Sequence, residues 1–146
     1  MVTIACELFR KHDPGFSACA AIRHEVFIVE QHVPPEEEMD ELDDAALHAL
    51  ATLDGSPVGT GRIILHDDRT AKIGRMAVRA AFRRRGVGAA VLARLLDAAR
   101  AAGAETVSLA AQLHAIPFYA RFGFVAYGDI FVDACIDHRM MVLSLA

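Results

Sequence analysis

The sequence of 146 residues predicts a single α/β domain over residues 1–146, with a mixed sheet flanked by helices. Three patterns indicate this fold class. A strand, an amphipathic helix and a second strand follow one another over residues 71–111, as in a right-handed crossover between parallel strands. Two strand-like stretches flank the turn at residues 54–57, as in an antiparallel hairpin. Two more strands are expected near the C-terminus.

The first strand is predicted at Val2–Phe9, where apolar residues alternate imperfectly with others. A helix is predicted from Pro14 to Gln31, with Asp13 as its N-cap and Pro14 at its first helical position. The consecutive prolines 34–35 end it. Its predicted buried stripe consists of Cys19, Ile22, Val26, Val29 and Val33.

An acidic segment, Glu36–Asp44, follows as a loop or short helix. It has two interpretations. The first is a solvated charged turn, and the second is a wall that attracts a cationic amine, with Asp40 and Asp43 as the binding groups. The sequence leaves both open.

The central strands are predicted at Ala45–Leu53, Val58–Leu65 and Ala71–Val78. A helix over Gly86–Ala102 follows, with Gly103 as its stop. Polar residues occupy one face of this helix. Its apolar face is formed by Val87, Val91, Leu92, Leu95, Leu96 and Ala99.

The remaining elements are a strand at Thr106–Ala111 and a short helix at His114–Phe122, which Gly123 closes. The last strands are predicted at Val125–Ile130 and Arg139–Leu145. Residues 131–138 between them are expected to be partly extended.

The composition limits the function classes. A net charge of -4 disfavours a generic nucleic-acid-binding protein, which is usually basic. No apolar run reaches the ~18 residues of a spanning helix, and the N-terminus lacks a signal-peptide pattern, so we expect a cytoplasmic protein without a membrane partner. Seven scattered histidines predict no metal site. The three cysteines are expected to be reduced and buried: Cys6, Cys19 and Cys135.

The turn at residues 83–89 is the most informative stretch. It is basic, contains Gly86 and Gly88, and opens directly into the long helix. Such a turn presents backbone N–H groups to an anion, and the helix N-terminus adds a partial positive charge. Arg83 and Arg84 can reach phosphate oxygens. A diphosphate is the ligand that fits this device best.

The pattern Arg83-x-x-Gly86-x-Gly88 resembles the pyrophosphate-binding loop of the GCN5-related N-acetyltransferase (GNAT) family. The later Phe118-Tyr119-x-x-Phe122-Gly123-Phe124 resembles the helix and turn that follow in that family. The stretches 26–31 and 137–140 are similar to the small bacterial ElaA-like branch.

This resemblance implies a splayed sheet of six to seven strands with about four helices, in which the strand at 71–78 is bulged and leaves a gap for the pantetheine arm. It implies a bacterial N-acetyltransferase that moves an acetyl group from acetyl-CoA to a small-molecule or peptide amine by direct attack in a ternary complex. The residues implied for binding the donor are Met76, Ala77, Val78, Arg83, Arg84, Arg85, Gly86, Val87, Gly88, Ala89, Gln112 and Tyr119.

The resemblance also implies that Tyr119 is the general acid for the leaving thiolate. Many family members carry a basic glutamate on the strand before the loop, but residues 72–78 contain no carboxylate. The catalytic base is therefore open, with Glu30 and His138 as the expected catalytic candidates. The wider set is Glu30, Asp40, Asp43, His48, His114 and His138, with bulk water as a further alternative.

Two alternative functions remain. The first is a non-catalytic module that senses acyl-CoA, which the missing strand carboxylate favours. The second is a nucleic-acid-binding module that uses Arg79 and residues 83–85, against which the net charge argues. A homodimer through the last strands is also possible on this pattern.

Overall fold

The structure is a computed structural model that describes residues 3–145. In that part of the chain, seven strands form one sheet: β1 (Ile4–Phe9), β2 (Leu47–Leu53), β3 (Ser56–Leu65), β4 (Thr70–Val78), β5 (Thr106–Gln112), β6 (Val125–Asp133) and β7 (Ile136–Ser144). Their spatial order is β1-β2-β3-β4-β5-β7-β6. The β4–β5 pair is parallel, as the crossover pattern predicts, and the other pairs are antiparallel.

Four α-helices accompany the sheet in residues 3–145: α1 (Phe16–Arg23), α2 (Pro35–Glu38), α3 (Val87–Ala101) and α4 (Ile116–Ala120). A π-helical segment, His24–Glu30, continues α1 without a break. Short 3₁₀ turns precede β2, α3 and α4. The splayed mixed sheet with about four helices is therefore confirmed.

The helix α3 agrees with its prediction to within one residue at each end. All six residues of its predicted apolar face are buried against the sheet. Gly59 and Gly61 of β3 allow this close packing. A Cβ atom on Gly59 would lie 2.5 Å from Val87 Cγ1, and one on Gly61 would lie 2.6 Å from Met76 Sδ. The first turn of α3 is thus fixed directly on β3.

The first helix differs from the prediction. It begins at Phe16 with Gly15 as its N-cap, whereas Asp13 accepts a hydrogen bond from the Arg10 N–H at 2.7 Å. Its second half is π-helical, which widens the turn and shifts the buried positions. Consequently Val29 is 58% exposed and Phe27 is buried instead. The other residues of the predicted stripe are buried.

The C-terminal hairpin also differs. The strands β6 and β7 extend to a tight turn at Ala134 and Cys135, whose φ angles are 51° and 65°. Turns of this kind usually contain glycine or asparagine, and Ala134 and Cys135 are neither, so no local pattern predicted this turn. Cys135 is exposed at this turn, which corrects the expectation that all three thiols are buried; Cys6 is half-buried and Cys19 buried.

Other boundaries shift by one or two residues. The strand β2 begins at Leu47 rather than Ala45, and β3 begins at Ser56 because the turn is shorter than predicted. The last predicted helix is a 3₁₀ turn followed by α4, and Gly123 ends it with φ 96°. Val2, the predicted start of β1, lies outside the described residues.

Candidate active site

The sheet opens between β4 and β5. These strands pair only from Thr70 to Ile73 on β4 and from Thr106 to Leu109 on β5. Beyond that point β4 is bulged, because Thr60 and Arg62 of β3 face Ala77 and Gly74 of β4 and leave one extra residue on β4. Arg75 in this bulge has a φ of 53°. The bulge and the splay agree with the expected shape of the gap.

The open edge of β4 carries three of the expected donor-binding residues. Beyond Ile73 the backbone of β4 is no longer paired with β5, so residues 76–78 border the gap. Backbone N–H and C=O groups at such an edge are able to pair with an extended ligand, as an added strand does. The pantetheine arm of CoA carries two amide groups that fit this kind of pairing.

The strand β4 leads through a 3₁₀ turn into the basic loop and α3. Arg84 has a φ of 64° and Gly86 a φ of 82°, and these two left-handed residues turn the chain into the helix. Within the described residues, no side chain caps this helix N-terminus at Gly86. The first N–H groups of α3, from Val87 to Ala89, have no i−4 carbonyl partner within the helix and are suited to an anion.

Of the loop arginines, Arg83 is held most firmly. Its Nε donates to the Val78 carbonyl at 2.9 Å, and its Nη2 donates to both carboxylate oxygens of Glu30 at 2.8 and 2.9 Å. Arg84 and Arg85 are exposed, and the Arg85 guanidinium lies 5.7 Å from the Phe82 ring centre. A diphosphate at the helix N-terminus would find three cations close by.

A groove runs between the π-helical segment and this loop. Its walls are Glu25 and Glu30 on one side and Arg79 with residues 80–82 on the other. Arg79 Nε donates to Glu25 at 3.1 Å. Two ion pairs, Arg79–Glu25 and Arg83–Glu30, therefore connect the π-helical segment to the stretch between β4 and α3.

One face of the sheet is covered by α3, and we call it the α3 face. Tyr119 on α4 lies on this face, in the same apolar cluster as the buried side chains of α3. Its ring makes edge-on contacts with Phe118 and Phe124, with centroid distances of 5.1 and 5.9 Å, and 8% of the residue is exposed. Burial raises the pKa of the Tyr119 hydroxyl well above its usual value. The hydroxyl is consequently protonated at neutral pH and is able to donate a proton or a hydrogen bond.

The opposite face of the sheet is covered by α1, and we call it the α1 face. Gln112 and His138 lie side by side on this face. They are paired residues of β5 and β7, and directly opposed residues of an antiparallel pair point to the same side. Gln112 Nε2 donates to Gln31 Oε1 at 2.9 Å, which connects the end of β5 to the end of the first helix. His138 is buried and stacks on Phe131.

The other base candidates are placed elsewhere. His114 is exposed on the 3₁₀ turn before α4. Asp43 and His48 are fully buried, and Asp40 is half-buried beside them. Glu30 forms an ion pair with Arg83. Of the two expected catalytic candidates, only His138 lies beside Gln112 at the end of β5.

The acidic segment folds inward, a feature that the sequence analysis missed. Asp43 accepts from Arg23 Nη1 at 2.8 Å and from Arg62 Nη1 at 2.8 Å, and Glu38 pairs with Arg23. Asp40 accepts from Arg62 Nη1 at 2.7 Å. The three carboxylates are therefore balanced by arginines from α1, β3 and β4, the third being Arg75.

Arginine contacts control the ionisation of this network. The Arg62 hydrogen bond lowers the pKa of Asp40. Burial opposes ionisation of Asp43, but Arg23 and Arg62 more than offset it, so the pKa of Asp43 is also lowered. The amine-attracting wall would need these carboxylates to be free, and Asp40 and Asp43 are instead paired. The sequence contained one indication of this inward pairing, because Arg23 directly follows Ile22 of the predicted buried stripe.

Comparisons with known proteins agree with this geometry. The sequence profile of the Acetyltransferase (GNAT) family matches residues 16–124. An uncharacterized N-acetyltransferase of Bacillus subtilis (strain 168), YjcF, is 38% identical over 122 residues, which is 83% of this chain and 86% of the relative.

Two solved structures resemble the whole fold. An acyl-CoA N-acyltransferase from Pseudomonas aeruginosa has a TM-score of 0.83 and 30% identity, with 96% of this chain and 99% of that chain covered. Escherichia coli ElaA has a TM-score of 0.83 and 27% identity over the same shares of the two chains.

The helices within residues 3–145 include none with the length and apolar character of a membrane span. From the profile match and the identity to YjcF, we conclude that this chain belongs to the acetyltransferase (GNAT) family.

Proposed function

We propose that this protein transfers an acetyl group from acetyl-CoA to an amine acceptor by direct attack in a ternary complex. The observation that carries the proposal is the relationship between the gap and the helix N-terminus. The gap between β4 and β5 lies along the bulged strand, and that strand leads into the basic loop that opens α3. A thioester on a long arm with a diphosphate at its far end matches both features.

The donor would be held at its two ends. The diphosphate would lie at the N–H groups of residues 87–89, with Arg83, Arg84 and Arg85 supplying positive charge. The pantetheine amides would pair with the open edge of β4 at residues 76–78. This arrangement brings the thioester into the gap, where backbone N–H groups polarise its carbonyl.

Tyr119 would act on the leaving group. An amine nitrogen adds to the thioester carbonyl carbon to give a tetrahedral intermediate, and the carbon–sulfur bond then breaks. The Tyr119 hydroxyl donates its proton to the departing sulfur and is then reprotonated from solvent, and the nitrogen loses one proton to a base or to water. Free CoA therefore leaves as the thiol and the product is an amide. The buried surroundings of the ring support this role because they keep the phenol protonated.

The acceptor would approach from the opposite face. Tyr119 packs with the α3 face of the sheet, whereas Gln112 points to the α1 face and contacts Gln31. A nucleophile and a leaving group on opposite sides of one carbonyl suit a direct displacement through a tetrahedral intermediate. The polar side chains of Gln31 and Gln112 would then face the incoming amine.

The test is a screen for amine-dependent release of CoA thiol from acetyl-CoA. It would cover amino acids, polyamines, aminoglycosides and peptides, with mass spectrometry to identify the acetylated product. Initial rates with both substrates varied should give intersecting lines for a ternary complex. Propionyl-CoA and butyryl-CoA, run in parallel, establish the acyl preference. Tight acetyl-CoA binding without turnover of any amine would favour the sensing module instead.

A further inference from the structure

His138 is held by a backbone contact on one edge of its ring. Its Nδ1 lies 2.7 Å from the carbonyl oxygen of Ile136. The ring stacks on Phe131, with 5.8 Å between centroids and an angle of 23° between the planes. With 8% of the residue exposed, the imidazole is fixed in one orientation.

This contact determines which ring nitrogen carries the proton. A carbonyl oxygen only accepts hydrogen bonds, so Nδ1 must be the donor. In neutral imidazole the other nitrogen, Nε2, then holds a lone pair and is a proton acceptor. The same backbone contact stabilises the imidazolium that forms when Nε2 takes up a proton.

The Nε2 atom is accessible. Within residues 3–145, His138 has no hydrogen-bond partner on Nε2 and no ion pair with a carboxylate. No fully enclosed side-chain nitrogen or oxygen in that part of the chain lacks a partner. Nε2 therefore keeps a small solvent-accessible area. A proton that Nε2 takes up is therefore able to pass to solvent.

His138 lies on the same face of the sheet as Gln112, one strand away from the gap between β4 and β5. His138 faces Gln112 across the β5–β7 ladder, at the end of β5 where β4 has already diverged. Gln112 in turn contacts Gln31 at the end of the first helix. On the α1 face, two amide side chains thus lie at the edge of the opening, and the imidazole of His138 lies beside Gln112 on the next strand.

Few charges face this imidazole. Its neighbours on β7, Asp137 and Arg139, alternate to the other side of the sheet, and Arg139 donates to the Gly128 carbonyl. On β6, Asp133 faces Ile136 on the His138 side and is exposed. At the end of the first helix, Glu30 is neutralised by Arg83.

We infer that His138 is the general base of the transfer, an inference that rests on the proposed function. Nε2 accepts a proton from the ammonium nitrogen of the bound acceptor, the N–H bond breaks, and its electron pair becomes the lone pair that attacks the acetyl carbon. A second proton leaves nitrogen for solvent as the tetrahedral intermediate collapses. The proton then passes from the imidazolium to solvent. The acceptor class is a primary amine that is small enough at its nitrogen to reach Nε2 past the hydrogen-bonded pair Gln31–Gln112.

The first test does not depend on turnover. Nitrogen-15 NMR of histidine-labelled protein reports the tautomer of each neutral ring, and His138→Gln assigns the signal by its loss. The expected result is a proton on Nδ1 and a bare Nε2. A neutral His138 with its proton on Nε2 would overturn the inference whatever the enzyme's activity.

The second test is kinetic, with ethanolamine as the probe amine. His138→Gln should lower kcat/KM about 100-fold and change the shape of the pH–rate profile, while acetyl-CoA affinity is unchanged. His12→Gln, which changes an exposed histidine in the turn after β1, should leave the rate and profile unaltered. With hydroxylamine, whose nitrogen is unprotonated at neutral pH, the loss in His138→Gln should be much smaller.

These outcomes separate the inference from the proposed function. If the wild-type protein transfers acetyl groups and His138→Gln does so equally well with the same pH profile, the inference is wrong and the proposed function stands. If the wild-type protein binds no acetyl-CoA, the proposed function fails. Equal losses with ethanolamine and hydroxylamine would indicate a structural role and would also overturn the inference.

Discussion

Arg83 holds both carboxylate oxygens of Glu30, at 2.8 and 2.9 Å, from the loop expected to bind a diphosphate. A carboxylate on this arginine occupies the hydrogen-bonding positions that a phosphate oxygen would use. We therefore expect Glu30 to compete with the diphosphate for Arg83. The pair also ties the end of the first helix to the basic loop.

The first prediction is that Glu30→Gln binds CoA more tightly. An exposed ion pair stabilises by less than ~1 kcal/mol, so the expected gain is about two- to fivefold. Calorimetric titration with CoA measures it. Glu25→Gln, which alters the neighbouring pair with Arg79, should produce a smaller change. Weaker binding in Glu30→Gln would show that the carboxylate supports the ligand-binding conformation instead.

The second prediction concerns Tyr119. In Tyr119→Phe the ring contacts with Phe118 and Phe124 remain, and only the hydroxyl is lost. We expect kcat to fall about 100-fold with acetyl-CoA affinity retained, because the leaving thiolate loses its proton donor. The matched control is Tyr127→Phe on the exposed edge strand β6. Full activity in Tyr119→Phe would remove the general acid from the mechanism.

The third prediction is a large loss of stability in Asp43→Asn. The fully buried Asp43 lies between Arg23 and Arg62, so the substitution leaves buried positive charge uncompensated. The expected cost is about 3 kcal/mol in the free energy of unfolding, measured with urea. Asp44→Asn, at an exposed pair with Lys11, should cost less than ~1 kcal/mol.

The same residue should respond to acid. The pKa of Asp43 is lower when folded than when unfolded, so its stabilising contribution is present above about pH 4 and is lost as the pH falls below that value. The difference in unfolding free energy between wild type and Asp43→Asn should therefore shrink below about pH 4. A constant difference would contradict the lowered pKa.

The fourth prediction is a dependence of stability on His48. Burial lowers the pKa of His48, whose Nε2 lies 3.0 Å from the Asp43 carbonyl. Below about pH 6.5 the unfolded chain takes up a proton that the folded chain refuses, so stability falls as the pH falls. His48→Gln should show a smaller decrease in unfolding free energy between pH 7.5 and 5. His12→Gln, at an exposed residue, should resemble wild type.

The sequence predicted the elements whose local signals agree. The α3 boundaries followed from Gly86, Gly103 and one clear apolar face, and all of that face is buried. The parallel β4–β5 pair followed from the crossover pattern. These features depend on residues that are close in the chain, where helical periodicity and turn chemistry are informative.

Long-range relationships could not be read in the same way. The pairing of Gln112 with His138 depends on the β5–β7 register, and the inward turn of Asp43 depends on arginines from different elements. The π-helical segment changed which residues face the core, so Val29 was placed wrongly. Each case requires geometry that no local pattern contains.

The most direct test of the central claim is a calorimetric titration of acetyl-CoA into wild type, Gly86→Trp and Gly103→Trp. The two glycines lie at opposite ends of α3, with φ angles of 82° and 80° and no atom within 4 Å of an added Cβ, so backbone strain is matched. We predict binding of one acetyl-CoA per chain in wild type and Gly103→Trp, with the affinity lost in Gly86→Trp. Absence of binding in folded wild type, or equal affinity in all three proteins, would contradict a donor site at the start of α3.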